Sequence, residues 1–139
     1  MASSLHKQFF QKPYFAVVGA STTRSKYGNK VLRWYQSNDL NVTPIHHKEV
    51  EIEKLATQPS IKELPSPKDT SISIITPPQV TLSVLKDAQV LGINNVWIQP
   101  GAEDQKVIDF AKDNKDMNII LGGSCILVEG SAFLHEARL

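Results

Sequence analysis

The chain has 139 residues, a net charge of +1 and 41% hydrophobic residues, which is enough apolar material for one compact domain of roughly 100 to 150 residues. Its basic residues are scattered, which argues against a nucleic-acid-binding surface, and its single cysteine excludes an internal disulfide. Because no apolar run approaches the ~20 residues that span a bilayer and the N-terminal residues lack a signal or transit pattern, we expect a soluble cytoplasmic protein that does not enter membranes.

The apolar segments are short, rich in Val and Ile, and separated by segments of helical period, which is typical of buried parallel strands with crossover helices. The first strand is predicted over 14–20 (YFAVVGA), followed by a helix over about 28–38. The second strand is predicted over 41–46 (NVTPIH). Residues 47–70 indicate a winding connection with one short helix over Ser60–Leu64, for which Ser60 is a suitable N-cap.

The second half of the chain continues the alternation of strand and helix. The elements predicted here are a strand over 71–76, a helix over 79–91 that Gly92 ends, a strand over 95–100, a helix over 102–114 with Glu103 and Asp104 in its first turn, and a strand over 117–122. We expect the residues that follow to dock on the edge of the sheet.

This order predicts an α/β fold, a doubly wound parallel sheet of about five strands between two layers of helices. Residues 1–12 are interpreted as an N-terminal extension and residues 13–139 as a single domain. In such a sheet the ligand site lies beyond the carboxyl ends of the strands at the switch point. The loops expected at that edge are residues 19–28, 46–48, 76–79, 99–104 and 122–125.

The first of these loops is a turn of small residues, Gly19, Ala20, Ser21 and Thr22, that leads into a helix. Such a turn lets the backbone come close to a ligand, and the helix N-terminus adds partial positive charge, so an anion is the expected ligand. Arg24 can supply charge to a phosphate or pyrophosphate. The turn follows neither the G-x-G-x-x-G nor the Walker pattern, so a tight turn that binds nothing is the alternative.

The loop after the second strand carries His46, His47 and Lys48 where NAD-binding domains place an acidic residue. A neutral or cationic cluster favours a phosphorylated ribose, which both NADP and coenzyme A contain, and a solvated surface loop is the alternative. Metal binding is disfavoured because adjacent histidines at the end of a strand are expected to point in opposite directions, and neither His6 nor His135 has ligand spacing to them.

Several segments together resemble the small stand-alone CoA-binding proteins, which are similar to the CoA-binding domain of the succinyl-CoA synthetase alpha subunit. These segments are VVGAS followed by Arg24 and the pair Tyr27–Gly28, then VTPIHHKEVE, then IITPPQVTLSVLKDAQVLGINNVWIQPGAED, and finally the lone Cys125. The resemblance covers residues 10–129 and is most specific in VWIQPGAED, with TPP second.

The resemblance implies a Rossmann-like domain whose first turn holds the pyrophosphate of CoA. The residues that it assigns to the ligand are Gly19, Ala20, Ser21 and Arg24 for the pyrophosphate, with Thr22, Tyr27 and Gly28 in the same loop; His47 and Lys48 for the adenosine and its 3′-phosphate; and Thr76, Pro77 and Pro78 for the pantetheine arm. The family usually has Asn-Pro-Lys at the place of 46–48, and it often has Pro where this chain has Ile126.

The sequence contains no convincing set of nucleophile, base and orienting group, so we expect binding without catalysis. Glu49, Glu51 and Glu53 alternate like a solvated strand or loop edge, which disfavours paired-carboxylate chemistry. Cys125 follows the last strand on the ligand edge, where its thiol is placed to approach the thiol of bound CoA. The hypothesis is a mixed disulfide between Cys125 and CoA, and a buried structural cysteine is the alternative.

Three functions remain open on the sequence alone. The first is a protein that binds CoA or an acyl-CoA, for which a homodimer is an open alternative to a monomer. The second is a small NADP-dependent oxidoreductase or redox sensor, which would have to borrow a substrate domain by oligomerising. The third is an interaction module that keeps the fold without its ligand.

Overall fold

The computed structural model describes residues 2–139, with side chains from residue 5 onward. The helices are α1 (Ala2–Phe10), α2 (Tyr27–Ser37), α3 (Pro78–Leu91), α4 (Gln105–Asp113) and α5 (Ile126–Ala137). The strands are β1 (Tyr14–Val18), β2 (Val42–Ile45), β3 (Glu51–Ile52), β4 (Leu55–Ala56), β5 (Thr70–Ile74), β6 (Asn95–Ile98) and β7 (Asn118–Ile120). Short 3-10 helices over Ile61–Glu63 and Pro67–Asp69 precede β5. Within 2–139, no helix is long and apolar enough to cross a membrane.

The main sheet is parallel and has the strand order β2–β1–β5–β6–β7. In its central register Val18 lies beside Ile45 on one side and Ile74 on the other. The chain moves outward from β1 in one direction to β2 and in the other direction to β5, so the switch point lies between β1 and β5. The predicted α/β fold, a Rossmann-like doubly wound sheet of five strands, is confirmed.

Helices cover both faces of this sheet. On one face α3 and α4 bury residues that include Leu85, Ala88 and Val107 against strand residues such as Ile72 and Ile74. On the other face lie α1, α2 and α5, and the core there includes Phe9, Leu32, Phe15, Trp97 and Ile126. The three layers expected from the strand and helix order are therefore present.

The residues after β7 do not dock on the edge of the sheet, as the sequence analysis had it. They form α5, which packs against α1 and α2 on the face of the sheet. Ile126 and Leu134 lie two helical turns apart on one side of α5, and both are buried. Burial of that apolar stripe requires a covered surface, which a sheet face offers and an open edge does not.

Helix α1 lies in the stretch interpreted as an N-terminal extension, where no element was predicted. Phe9 and Phe10 are 0% and 6% exposed and pack against the rings of Phe15 and Trp97. The hydroxyl of Ser71 donates to the carbonyl oxygen of Phe9 at 2.6 Å. The helix thus covers part of one sheet face. Position 1, which the prediction included, lies outside the described residues.

Helix α4 begins later than predicted, at Gln105. Asp104 is its N-cap rather than a member of its first turn, and its carboxylate accepts from the backbone N–H of Val107 at 3.0 Å. Glu103 precedes the helix, and its carboxylate accepts from the N–H of Gly122 at 2.9 Å. Asp104 therefore caps the helix and Glu103 holds the loop after β7, and neither lies inside the first turn of α4.

A hairpin of β3 and β4 stands apart from the main sheet and was read from the sequence as a solvated edge. Glu53 and Lys54 form its turn with φ of 49° and 67°, a left-handed conformation that residues other than glycine adopt only rarely. Ile52 is buried against the α2 side of the core, and the amide of Gln36 donates to the carbonyl oxygen of Glu53 at 2.9 Å. These contacts hold the turn beside α2.

Candidate functional site

A cavity of about 380 Å³ opens at the carboxyl ends of β1, β2 and β5. Its lining residues are Val18, Gly19, Ala20, Ile45, His46, His47, Pro59, Ser60, Ile61, Thr76, Val80, Val84 and Asp87. The cavity therefore lies at the switch point, where the fold places a ligand. It brings together the small-residue turn, the loop after β2 and the loop after β5, which the sequence analysis had assigned to one ligand.

The small-residue turn is held by backbone contacts that only glycine permits. Gly19 has a φ of +97°, and a Cβ on it would come within 2.1 Å of the carbonyl oxygen of Ile75. A Cβ on Gly28, in the first turn of α2, would come within 2.0 Å of the carbonyl oxygen of Gly19. The strand, the turn and the helix thus meet at van der Waals contact, which fixes the direction of α2 toward the cavity edge.

The N-terminus of α2 is not capped by a side chain. Lys26 occupies the N-cap position and makes no side-chain cap hydrogen bond. Nearby, the hydroxyl of Ser21 accepts from the N–H of Thr23 at 3.1 Å, and the amide of Asn29 donates to the carbonyl oxygen of Ser21 at 2.8 Å. The turn is therefore braced from outside, while its helix presents the uncapped N-terminus that an anion requires.

Arg24 lies beside this turn but is engaged with the hairpin. Its side chain is 67% exposed, and its Nε lies 3.5 Å from the carboxylate of Glu53. The same carboxylate accepts from the amide of Asn29 at 3.1 Å, and Arg33 donates to the carbonyl oxygen of Arg24 at 2.9 Å. Glu53, which the sequence analysis left as a solvated residue, therefore competes with any phosphate for Arg24.

The loop after β2 departs from the expected alternation of its histidines. The rings of His46 and His47 are stacked, with centroids 5.3 Å apart and planes 4° from parallel, so they do not point in opposite directions. The strand ends at Ile45, and residues beyond it no longer follow the two-residue period of a strand. His46 Nδ1 accepts from the N–H groups of Lys48 and Glu49, at 3.1 and 3.0 Å, which folds the loop over its own ring.

The predicted loop residues reach the cavity unequally. His47 lines it, whereas the exposed Lys48 is outside its lining. Thr76 lines it as well, and its hydroxyl lies 2.7 Å from that of Thr81 in α3. Pro77 and Pro78 are the N-cap and the first residue of α3, where a missing N–H leaves no hydrogen bond unmade. In the described residues, no three His, Cys, Asp or Glu side chains are grouped as a metal site.

Cys125 and Tyr27 form a second group, outside the lining of this cavity. The hydroxyl of Tyr27 lies 2.7 Å from the sulfur of Cys125 and donates to the side-chain oxygen of Gln99 at 3.0 Å. Burial, and next the hydrogen bond between Tyr27 and Cys125, raise the pKa of Tyr27 well above its ordinary value, so its phenol stays protonated. The sequence did not single out Gln99 as a site residue, although it directly follows the fourth strand of the sheet inside VWIQPGAED.

Ser124, beside that cysteine, ties the loop after β7 to the two terminal helices. Its hydroxyl donates to the carboxylate of Glu129 and lies 2.9 Å from Nε2 of His6, while its carbonyl oxygen accepts from the indole N–H of Trp97 at 3.0 Å. The His6 ring also stacks on that of Phe133, with centroids 3.9 Å apart. Because the hydroxyl proton is directed to the carboxylate and not to the imidazole, this arrangement anchors helices rather than activating a nucleophile.

Comparisons with known proteins agree with one family. The family described as CoA binding domain matches residues 14–131 of the chain. A conserved hypothetical protein from Pyrococcus furiosus is 38% identical, with 84% of this chain and 97% of that chain covered and a TM-score of 0.76. No curated protein matches.

Two further solved structures show the fold alone. A hypothetical protein from Pyrococcus horikoshii OT3 is 21% identical, with 96% of this chain and 92% of that chain covered and a TM-score of 0.83. A protein from Thermus thermophilus, cell-free ID.343, is 20% identical, with 96% and 99% covered and a TM-score of 0.80.

Proposed function

Because the chain belongs to the CoA-binding domain family, we propose that it binds coenzyme A, or an acyl-CoA, across the carboxyl ends of the parallel strands. We propose binding rather than catalysis as its role. The observation that carries this proposal is the 380 Å³ cavity at the switch point, because the turn, the histidine loop and the loop after β5 all line it.

The turn of residues 19–22 is proposed to hold the pyrophosphate. Two features support this assignment. The backbone segments meet closely at Gly19 and Gly28, and the N-terminus of α2 is not capped by a side chain. In the free protein the Arg24 guanidinium lies 3.5 Å from Glu53. Arg24 is proposed to leave this carboxylate and bind a phosphate oxygen, since its side chain is largely exposed and a ligand can reach it. Because the arginine of this pair is largely exposed, solvent weakens the attraction, and a phosphate with greater charge can compete for the guanidinium.

The cavity itself is proposed to hold the adenosine. Its walls include the apolar side chains of Ile45, Ile61 and Val84, which suit the faces of a base. His47 and Lys48 are proposed to meet the 3′-phosphate on the ribose, His47 from the cavity wall and Lys48 from the exposed part of the loop. The lysine serves as a point charge, which needs no fixed geometry to attract a phosphate.

The pantetheine arm is proposed to pass Thr76, Pro77 and Pro78 toward Cys125. The thiol of Cys125 is partly exposed and stands at the N-cap of α5, beside Tyr27. We propose that it exchanges with CoA disulfide to form a mixed disulfide. In that exchange the Cys125 thiolate attacks one sulfur of CoA disulfide, the disulfide bond breaks, and the second CoA leaves as a thiolate that takes up the proton lost by Cys125.

The test of ligand binding is calorimetric titration of the reduced protein with CoA, dephospho-CoA, NADP and NAD at one ionic strength. We expect CoA to bind best and dephospho-CoA about tenfold more weakly, since a charged hydrogen bond to the 3′-phosphate is lost. Tighter binding of NADP than of CoA would favour the oxidoreductase alternative. Absence of heat with all four ligands would reject the proposal in favour of an interaction module.

The test of the mixed disulfide is intact-mass measurement after incubation with CoA disulfide. We expect an adduct of the mass of CoA that dithiothreitol removes and that the Cys125→Ser variant does not form. An unmodified protein after incubation at saturating CoA disulfide would reject the exchange while leaving reversible CoA binding intact.

A further inference from the structure

The hydroxyl of Tyr27 has one proton and two neighbours that compete for it. The oxygen of Gln99 lies 3.0 Å away and can only accept, whereas the sulfur of Cys125 lies 2.7 Å away and can donate as a thiol or accept as a thiolate. The donor and acceptor roles in this group therefore depend on whether the thiol has lost its proton.

The orientation of the Gln99 amide is fixed by the backbone. Its oxygen also accepts from the N–H of Ile126 at 2.9 Å. Rotating the amide by half a turn would place its NH₂ group against that N–H, and both groups are donors. The amide keeps this orientation even though its own NH₂ group is fully buried and has no hydrogen-bond partner among the described residues. Gln99 therefore presents a permanent acceptor to Tyr27.

Two arrangements of hydrogen bonds follow from this geometry. When Cys125 is a thiol, its S–H donates to the oxygen of Tyr27, and Tyr27 donates to Gln99. When Cys125 is a thiolate, it has no proton to give, and the O–H of Tyr27 turns from Gln99 to the sulfur. Gln99 then keeps its hydrogen bond from Ile126, so its oxygen is not left unpaired.

We propose that Tyr27 and Gln99 are positioning residues that set the reactivity of Cys125 in opposite directions, a role that rests on the proposed exchange with CoA disulfide. Tyr27 stabilises the attacking thiolate by donating to it, and Gln99 opposes that state by competing for the same proton. Because the hydroxyl only rotates about its C–O bond, the switch needs no movement of the backbone.

Titratable side chains near the Cys125 thiol come from α1, α2 and α5. On α2 the titratable neighbour is Tyr27 itself, while Glu129 on α5 and His6 on α1 are engaged with Ser124. The amino end of α5 favours the thiolate equally in the unmodified protein and in Tyr27→Phe, so a difference in reactivity between these two proteins reports on the Tyr27 hydroxyl. Gln99→Met removes the acceptor of both the Tyr27 hydroxyl and the Ile126 N–H, and both losses favour the thiolate.

The experiment measures the rate of reaction of Cys125 with 4,4′-dithiodipyridine, a small disulfide that needs no CoA site, as a function of pH. In Tyr27→Phe we expect the midpoint of the profile to rise by about one pH unit, because a hydrogen bond to a charged group is lost. At pH 7 the rate should fall only about threefold, since the lower thiolate fraction is partly offset by greater nucleophilicity. In Gln99→Met we expect the midpoint to fall by roughly half a pH unit, because the thiol state loses the hydrogen bond from Tyr27 to Gln99.

The matched control is Tyr14→Phe, which removes a hydroxyl from an exposed tyrosine at the start of β1. Its profile should overlay that of the unmodified protein. Midpoints of Tyr27→Phe and Gln99→Met that move in the same direction, or a midpoint of Tyr27→Phe that does not move, would overturn the proposal.

The same variants are then treated with CoA disulfide, which separates this inference from the proposed function. Opposite midpoint shifts with the small disulfide but no CoA adduct would confirm the roles of Tyr27 and Gln99 and reject the exchange with CoA. A CoA adduct that forms at one rate in all variants would support the exchange and reject the roles assigned to the two side chains.

Discussion

The first and the last loops at the carboxyl edge of the sheet both turn on glycines with positive φ, but they are built differently. Gly19 in the first loop has no space for a Cβ, which would meet a carbonyl oxygen at 2.1 Å. Gly122 and Gly123 in the last loop have φ of 87° and 91°, and a Cβ on either would meet nothing within 4 Å. The first loop thus requires glycine for both space and conformation, and the last for conformation alone.

This difference separates a loop shaped by the backbone from one held by side chains. The first loop is fixed by contact among strand, turn and helix, which suits a ligand bound through N–H groups. The last loop is fixed through Ser124 and Cys125, whose partners come from other elements of the fold. A site for a rigid phosphate and a site for a reactive thiol are therefore supported in different ways.

The largest effect that would sharpen this comparison is expected for Gly28→Ala. Alanine in a helix is ordinarily more stable than glycine by about 1 kcal/mol, but here the added Cβ meets the carbonyl oxygen of Gly19 at 2.0 Å. We expect the free energy of unfolding in urea to fall by about 2–3 kcal/mol because the overpacked helix must shift. A more stable variant would show that the first loop is not fixed by this contact.

The next effect concerns the ligand that the first loop is proposed to bind. Arg24→Ala should weaken the binding of CoA and dephospho-CoA by the same factor, about tenfold, because both contain the pyrophosphate. Lys48→Ala should weaken CoA alone, since only CoA carries the 3′-phosphate. Titration calorimetry measures both, with Lys115→Ala as an exposed control before β7. If Arg24→Ala weakened the binding of CoA but not of dephospho-CoA, Arg24 would be assigned to the 3′-phosphate instead of the pyrophosphate.

A smaller effect is expected in the last loop. Gly123→Ala should lower the free energy of unfolding by about 1 kcal/mol, because the left-handed conformation alone opposes the change and the space beyond it is open. Urea denaturation under the conditions used for Gly28→Ala gives a direct comparison. Equal decreases in the free energy of unfolding for Gly28→Ala and Gly123→Ala would contradict the distinction between a first loop fixed by close contact and a last loop that needs glycine only for its conformation.

The smallest effect is expected for Glu53→Gln, which removes the carboxylate that engages Arg24. CoA should bind about threefold more tightly, since the guanidinium no longer has to leave a charged partner and a negative charge near the phosphates is lost. Glu51→Gln on the same hairpin is the matched control. Weaker binding by Glu53→Gln would mean that the carboxylate orients Arg24 for the ligand instead of competing for it.

The sequence was sufficient for the five strands of the main sheet because buried parallel strands leave a strong signal of short Val- and Ile-rich runs. It was insufficient for α1, whose nine residues are too short to establish a helical period, and for the hairpin, whose two-residue strands are too short to show a strand period. Both elements depend on distant partners, such as Trp97 for Phe9 and Gln36 for Glu53. Local patterns contain no information about such partners.

The same distinction applies to the candidate site. The turn at Gly19 and the loop at His47 were predictable, because their places after consecutive strands determine that they meet at one edge. The pairing of Arg24 with Glu53 was not, because it crosses from the first loop to a hairpin that the sequence did not reveal. The contact of Tyr27 with Cys125 joins residues 98 positions apart and follows only from the complete topology.

The packing of α1 on α5 has a consequence for how the chain reaches its native state. His6 and Ser124, which this packing joins, are 118 positions apart, and contacts of such high sequence separation slow folding because a long loop must close first. During synthesis β1, β2 and β5 can associate early, but Phe9 and Phe10 gain their full cover only when α5 arrives. The sheet face next to Cys125 is therefore completed only after α5 has emerged from the ribosome.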